Sequence, residues 1–268
     1  MSNAFQRTEL LLGQLATERL KKSHIAIFGL GGVGSYAAEA LARAGVGEFS
    51  LFDFDKVGES NINRQNIAFT DTVGQPKVNL MAERIARINP DAKINAKNIF
   101  YDEHNSEHIL DANFSAVIDA IDSFNSKISL LSESHRLAIP VFSAMGAAGK
   151  IDPTQIRSGD ISKSSICPMA RKVRKFLRYK GIKKGIKVVY SLEAPVMPYS
   201  HTIFSSKQNE FEENNGMKKM IQGSISYLPA IFGLTLAGLV VQHLSGYESA
   251  KDTPPGQRTS GKDGVKVA

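Results

Sequence analysis

The chain has 268 residues, 42% of them hydrophobic and 22% charged, which is the composition of an ordinary soluble globular protein. Its single cysteine, Cys167, excludes an intramolecular disulfide and any cysteine-built zinc site, so no structural zinc is expected. A net charge of +7 favours polyanionic partners without specifying one.

Residues 1–22 read as an N-terminal helical arm. They carry no apolar stretch behind a basic start, so no secretory signal is expected and the setting is taken as cytoplasmic. The run His24-Ile25-Ala26-Ile27-Phe28 has no polar face, as in a strand covered on both sides. A glycine loop follows at 29–34. Residues 33–44 then read as a helix of strong formers, stopped by Gly45. A second strand over 49–52 ends on Asp53 and Asp55. Strand, glycine loop, helix and strand make a βαβ unit.

A helix over 75–88 stops at Asn89-Pro90. Strands follow over 93–99, 116–119 and 139–142, with a helix over 127–137 before the last of them. This alternation predicts an α/β fold, a mostly parallel sheet with flanking helices and a C-terminal extension.

From Gly146 the texture changes, with Gly149 and Asp152-Pro153 breaking the period. The segment 171–187 then crowds nine cations together with no carboxylate among them, so it is not a self-neutralised helix face. Residues 188–190 read as a strand, and 207–215 as a polar, mobile loop. The apolar stretch 225–244 is long enough to cross a bilayer. A buried helix is the preferred reading, because Ser226, Tyr227, Thr235 and Gln242 dilute it and Gly233 and Gly238 suit close helix contact. Residues 247–268 read as a disordered tail. The organisation expected is an arm at 1–22, a nucleotide-binding region at 23–150, a region at 151–246 packed on the same domain, and the tail.

Gly29-Leu30-Gly31-Gly32-Val33-Gly34 satisfies the G-x-G-x-x-G pattern between a strand and a helix, the setting of a Rossmann-like phosphate cradle. Missing side chains let backbone N–H groups and a helix N-terminus approach phosphate oxygens. Asp53, at the end of the second strand, is placed for ribose hydroxyls. This much does not choose between NAD and ATP.

Ser60-Asn61-Ile62-Asn63-Arg64-Gln65 chooses. An arginine fork beside amides suits a triphosphate, whereas an NAD dehydrogenase has no standing need for one there. Gly74-Gln75-Pro76-Lys77 starts a helix with Lys77 in reach of a phosphate. Asp119 and Asp122 close the fourth strand at the edge where ligands bind, and either can hold Mg2+; Asp122 is the preferred ligand.

The set GLGGVGS, LFDFD, SNINRQ, VGQPK, RINP and DAIDS resembles the ubiquitin-activating-enzyme superfamily of ThiF, MoeB and HesA type, which includes adenylyltransferases of sulfur-carrier proteins. That resemblance implies ATP bound by Gly29, Gly31, Gly32, Gly34, Asp53, Asn61, Arg64, Gln65 and Lys77. It implies Asp53 on ribose, Asn61, Arg64 and Lys77 on the phosphates, and Mg2+ on Asp122. Arg64, Lys77 and Asp122 are then the catalytic candidates. In that family an N-terminal arginine reaches the partner subunit's ATP site, and Arg7 is the candidate here, within an expected homodimer.

The second half selects a branch. Sulfur-carrier activators often bear two Cys-x-x-Cys pairs, and this chain has none. Residues 143–154, 160–163 and 190–195 are instead similar to the tRNA threonylcarbamoyladenosine dehydratases. What this implies is adenylation of the threonylcarbamoyl carboxylate on tRNA with loss of pyrophosphate. The carbamoyl group then attacks the acyl carbon, closing a ring and releasing AMP. No enzyme thiol is needed, and Cys167 is read as incidental. Arg171, Lys172, Arg174, Lys175, Arg178, Lys183 and Lys184 are the expected contacts to the tRNA backbone.

The rival within the same chemistry is activation of the Gly-Gly terminus of a ubiquitin-like sulfur carrier. An NAD-dependent oxidoreductase and a degenerate tRNA-binding scaffold are the rivals from other classes. A sulfur-transfer partner and membrane association are allowed, and the second is not favoured.

Overall fold

A computed structural model of the chain describes residues 3–196, 211–214, 217–220 and 222–247. The arm is two helices, α1 (Gln6–Leu12) and α2 (Gln14–Lys22). The second buries Ala16 and Leu20, whereas the first has no fully buried residue and packs only Leu12 on the core. Then follow β1 (His24–Phe28), α3 (Gly34–Arg43), β2 (Glu48–Phe52), α4 (Lys77–Ile88) and β3 (Lys93–Lys97). After a single turn, α5 (Ser106–Ile109), come β4 (Ala116–Asp119), α6 (Phe124–Arg136) and β5 (Val141–Ala144). The second half supplies β6 (Ile156–Asp160), α7 (Pro168–Tyr179), β7 (Lys187–Ser191), the two-stranded ribbon β8 (Phe211–Asn214) and β9 (Met217–Met220), and α8 (Tyr227–Ser245).

Seven strands form one sheet in the order β3-β2-β1-β4-β5-β7-β6, parallel except where β6 runs against β7. Two-residue alternation along β1 feeds both faces. Ile25 and Ile27 enter the cluster covered by α3, α4 and α8, while Ala26 and Phe28 enter the cluster covered by α6 and α7. Because β2 and β4 flank β1 on opposite sides, their crossovers diverge and leave a crevice at the carboxyl ends of β1 and β4.

The second half is not a separate layer. Strand β7 extends the sheet from β5, with Phe142 opposite Lys187. Helix α8 lies on α3, and Leu228, Phe232, Leu236 and Val240 are buried there. A Cβ on Gly233 would stand 2.2 Å from the Val33 carbonyl oxygen, so this helix pair approaches closer than any side chain permits. Among the described residues α8 is the one helix long and apolar enough to cross a membrane, yet one of its faces is core.

Several expectations are corrected. The fifth strand begins at Val141 rather than 139, because Pro140 has no N–H to give the ladder and contributes its carbonyl to Val117. The helix read over 127–137 starts at Phe124. Strand β6 was not expected at all. Part of the loop read over 207–215 is strand: Asn214 of β8 pairs antiparallel with Met217 of β9. Residues 207–210, residue 215 and the tail beyond Tyr247 lie outside the described residues.

Candidate active site

The glycine loop leaves β1 at Gly29, whose φ of +87° sends the chain across the end of β4. A Cβ there would meet the Ala120 carbonyl oxygen at 2.7 Å, and one on Gly34 would meet the Gly29 carbonyl at 1.8 Å. The loop therefore folds on itself tightly enough to present α3's first N–H groups to a ligand. Gly31 faces the other way: only the Gln65 amide nitrogen, at 3.8 Å, approaches its Cβ position. Gln65 is buried and its Oε1 has no partner, an orphaned acceptor beside the cradle. A bare backbone next to an unsatisfied polar atom fits a bound nucleotide.

Asp53 does something sequence spacing could not show. Its Oδ2 accepts from the Leu30 N–H at 2.5 Å and its Oδ1 from the Asp55 N–H at 2.8 Å, so the carboxylate fixes the glycine loop. Burial pushes its carboxyl up, opposed by the Lys77 charge and these two N–H donors. Lys77 is buried, and its ammonium pairs with Asp55 at 2.7 Å. Arg64 lies over Gly32, with its Cγ 3.3 Å from the Cβ position there. Its guanidinium donates to the Ser60 carbonyl at 2.7 Å and to the Asn63 Oδ1 at 2.9 Å. Asn61 accepts from the Gly58 N–H at 3.1 Å, which shapes the turn that carries Arg64.

The two aspartates after β4 are sorted by burial. Asp119 is fully buried and takes a 2.5 Å ion pair from Lys127, a hydrogen bond from the Ser143 hydroxyl and another from the Ile121 N–H. Such a carboxylate braces the sheet end and has no room for a metal. Asp122 is exposed, three residues further along the same edge. Among the described residues no group of three His, Cys, Asp or Glu side chains could hold a metal. A single carboxylate is the donor set that suits Mg2+ shared with phosphates rather than a protein cage.

Thus Gly29, Gly31, Gly32, Gly34, Asp53, Asn61, Arg64, Gln65, Lys77 and Asp122 gather at one end of the sheet. Arg7 does not join them: it is exposed on α1, and the neighbouring Phe5 packs on Gly45 at the opposite end of α3. Most of the α7 cations also stand apart; the exception is Lys172, whose ammonium lies 4.0 Å from the Phe124 ring, two residues past Asp122. Arg174 departs from its fellows, since its guanidinium turns inward to the Ser164 carbonyl and hydroxyl at 2.6 Å. Cys167 is buried in the apolar cluster under α7.

Three features escaped the sequence reading. Lys127 carries the fully buried ion pair, signalled only by a lysine on the apolar stripe of α6. The start of α8 walls the loop, with Pro229 Cβ 3.0 Å from the Gly32 Cβ position. The Asn63 amide ties that segment down at the Ser224 carbonyl, 3.1 Å away.

Comparison with known proteins places these features. Residues 5–261 match the ThiF family. The chain is 44% identical over 244 residues to the tRNA threonylcarbamoyladenosine dehydratase of Bacillus subtilis, covering 91% of this chain and 95% of that one. Identity to the Escherichia coli protein of the same name is 42% over 204 residues, 73% of this chain and 76% of that one. The solved E. coli tRNA N6-threonylcarbamoyladenosine dehydratase in complex with ATP superposes with a TM-score of 0.79 at 35% identity, covering 91% of this chain and 94% of that one.

Proposed function

The chain belongs to the ThiF family, and from that premise we propose that it cyclises N6-threonylcarbamoyladenosine in tRNA at the expense of ATP. It is an ATP-dependent adenylating enzyme. What carries the tRNA reading is the extent of the similarity, which runs through the second half as well as the nucleotide edge.

The reaction removes one water in two steps. A carboxylate oxygen of the threonyl group attacks the α-phosphorus of ATP and the bond to the β-phosphate breaks, releasing pyrophosphate. The carbamoyl group then attacks the acyl carbon, a proton leaves, and AMP carries away the carboxylate oxygen. The glycine loop and the α3 N-terminus receive phosphate oxygens. Arg64, at the lip of that loop, and Lys77 offset the charge that builds between the α- and β-phosphates. Lys77 does so from its pair with Asp55, so its ammonium is held in place before any substrate arrives. Asp122 would hold Mg2+, whose chemistry is to neutralise the departing pyrophosphate.

Arg7 is read as acting in a homodimer, on the partner's site, because within its own chain it lies at the far end of α3. Leu10 and Leu11 beside it are 80% and 82% exposed, an apolar surface that a second subunit would cover.

Mass spectrometry of nucleosides from tRNA incubated with ATP, Mg2+ and the protein tests the reading. The expected result is loss of one water from the threonylcarbamoyl nucleoside. Pyrophosphate exchange that depends on a small carrier protein and ignores modified tRNA would overturn it in favour of carrier activation.

A further inference from the structure

Helix α7 has two unlike faces. Ala170, Val173 and Leu177 are buried under it, whereas Phe176 and Tyr179, one turn apart, are 41% and 75% exposed. The Phe176 ring meets Phe124 edge to face at 5.1 Å and Tyr179 at 6.1 Å. The Lys172 ammonium sits 4.0 Å above the Phe124 ring and that of Lys175 5.9 Å from Tyr179. Phe124 is the first residue of α6, two beyond Asp122, so this ladder of rings begins at the adenylation edge and leads away from it.

We propose that Tyr179 and Phe176 form a stacking platform for an unpaired base of the RNA, next to the nucleotide being modified. The inference rests on the tRNA reading above and adds to it a contact to base faces. Cations alone would serve phosphates. Aromatic rings that stay in water between cations serve a π-face, and in an RNA strand an unstacked base offers one. The segment 167–187 itself carries no carboxylate, which suits a polyanionic strand, and the Asp160 carboxylate beside it is engaged by the Gly185 N–H at 2.7 Å. A loop threaded over Tyr179 toward Phe124 would deliver the neighbouring nucleotide to Asp122 and the glycine loop.

Steady-state kinetics with the full-length protein and tRNA carrying threonylcarbamoyladenosine test this. Tyr179→Ala is expected to raise KM for tRNA about tenfold or more while kcat, the melting temperature and ATP binding stay unchanged. Tyr179→Phe, which keeps the ring, is expected to restore the wild-type value. A tRNA with an abasic site beside the modified nucleotide separates base from backbone. It should weaken binding to the wild type about tenfold and leave binding to Tyr179→Ala unaffected. Wild-type KM in Tyr179→Ala, or equal sensitivity of both proteins to the abasic site, would overturn the platform. Failure of the wild type to convert any tRNA would instead remove the reading on which it rests.

Discussion

The two ends of this molecule use positive charge in opposite ways. At the nucleotide edge Lys77 and Lys127 are buried and each is matched by a carboxylate, Asp55 or Asp119, while Arg64 is braced by neighbouring oxygens. On α7 and the turn after it, Arg171, Arg178, Lys183 and Lys184 stand exposed in a stretch with no carboxylate. Buried cations are held in one geometry, at a desolvation cost that their partners offset. Exposed ones keep their freedom and are strongly screened by salt. The first arrangement suits a reaction that needs fixed charges, and the second suits capture of a long polyanion.

The contrast breaks most visibly at Lys127. Replacing it by alanine leaves the Asp119 carboxylate buried without its partner, and a loss of about 3–5 kcal/mol of stability is expected in denaturant unfolding. Lys127→Met with Asp119→Asn should recover much of that loss. Arg64→Ala is expected to leave the unfolding midpoint within ~1 kcal/mol of wild type, because its partners are exposed. Turnover in the water-loss assay should fall by at least about a hundredfold, the scale for removing one preorganised charge donor. Unimpaired turnover would reject its role.

A smaller effect is expected from Lys183→Glu with Lys184→Glu. If these two lysines meet phosphates, the slope of log affinity against log salt should flatten by about 1.4 for a single strand while ATP binding holds. An unchanged slope would make this turn an ordinary solvated surface. The smallest change concerns the back of the nucleotide edge. Glu39 lies part-buried, which raises its carboxyl, but the Arg84 and Arg43 guanidinium groups outweigh this and hold it below the usual 4.5. Its stabilising contribution is therefore complete above that value and is lost as pH falls through the lowered one. Glu39→Gln should cost less than about 1 kcal/mol at neutral pH, given solvent screening, and the difference from wild type should vanish in acid melting curves.

How far the sequence revealed this depended on whether an element carries its own instructions. The runs forming β1, β2 and β4 are covered on both faces, so they read as unbroken apolar segments. Strand β6, Ile-Arg-Ser-Gly-Asp, is a polar edge strand that exists because β7 offers it a ladder, and no local pattern announces it. The glycine loop, Arg64 and Lys77 were legible as residue types at fixed intervals along the chain. Their pairings were not, since Asp53 holding Leu30 and Lys127 holding Asp119 depend on register between strands and helices. Arg174 shows the same limit: the charge run named it, and only the turn before α7 shows it facing inward.

The wall that Pro229 builds against Gly32 has a consequence for how the protein is made. The glycine loop ends at Gly34, yet the helix that closes over it begins only at Tyr227. A nascent chain would expose an unfinished nucleotide pocket until α8 had been synthesised. Deleting residues from 222 onward should abolish ATP binding even though the glycine loop, Arg64 and Lys77 remain. The second half is therefore not an independent cassette, because its last described helix completes the site in the first.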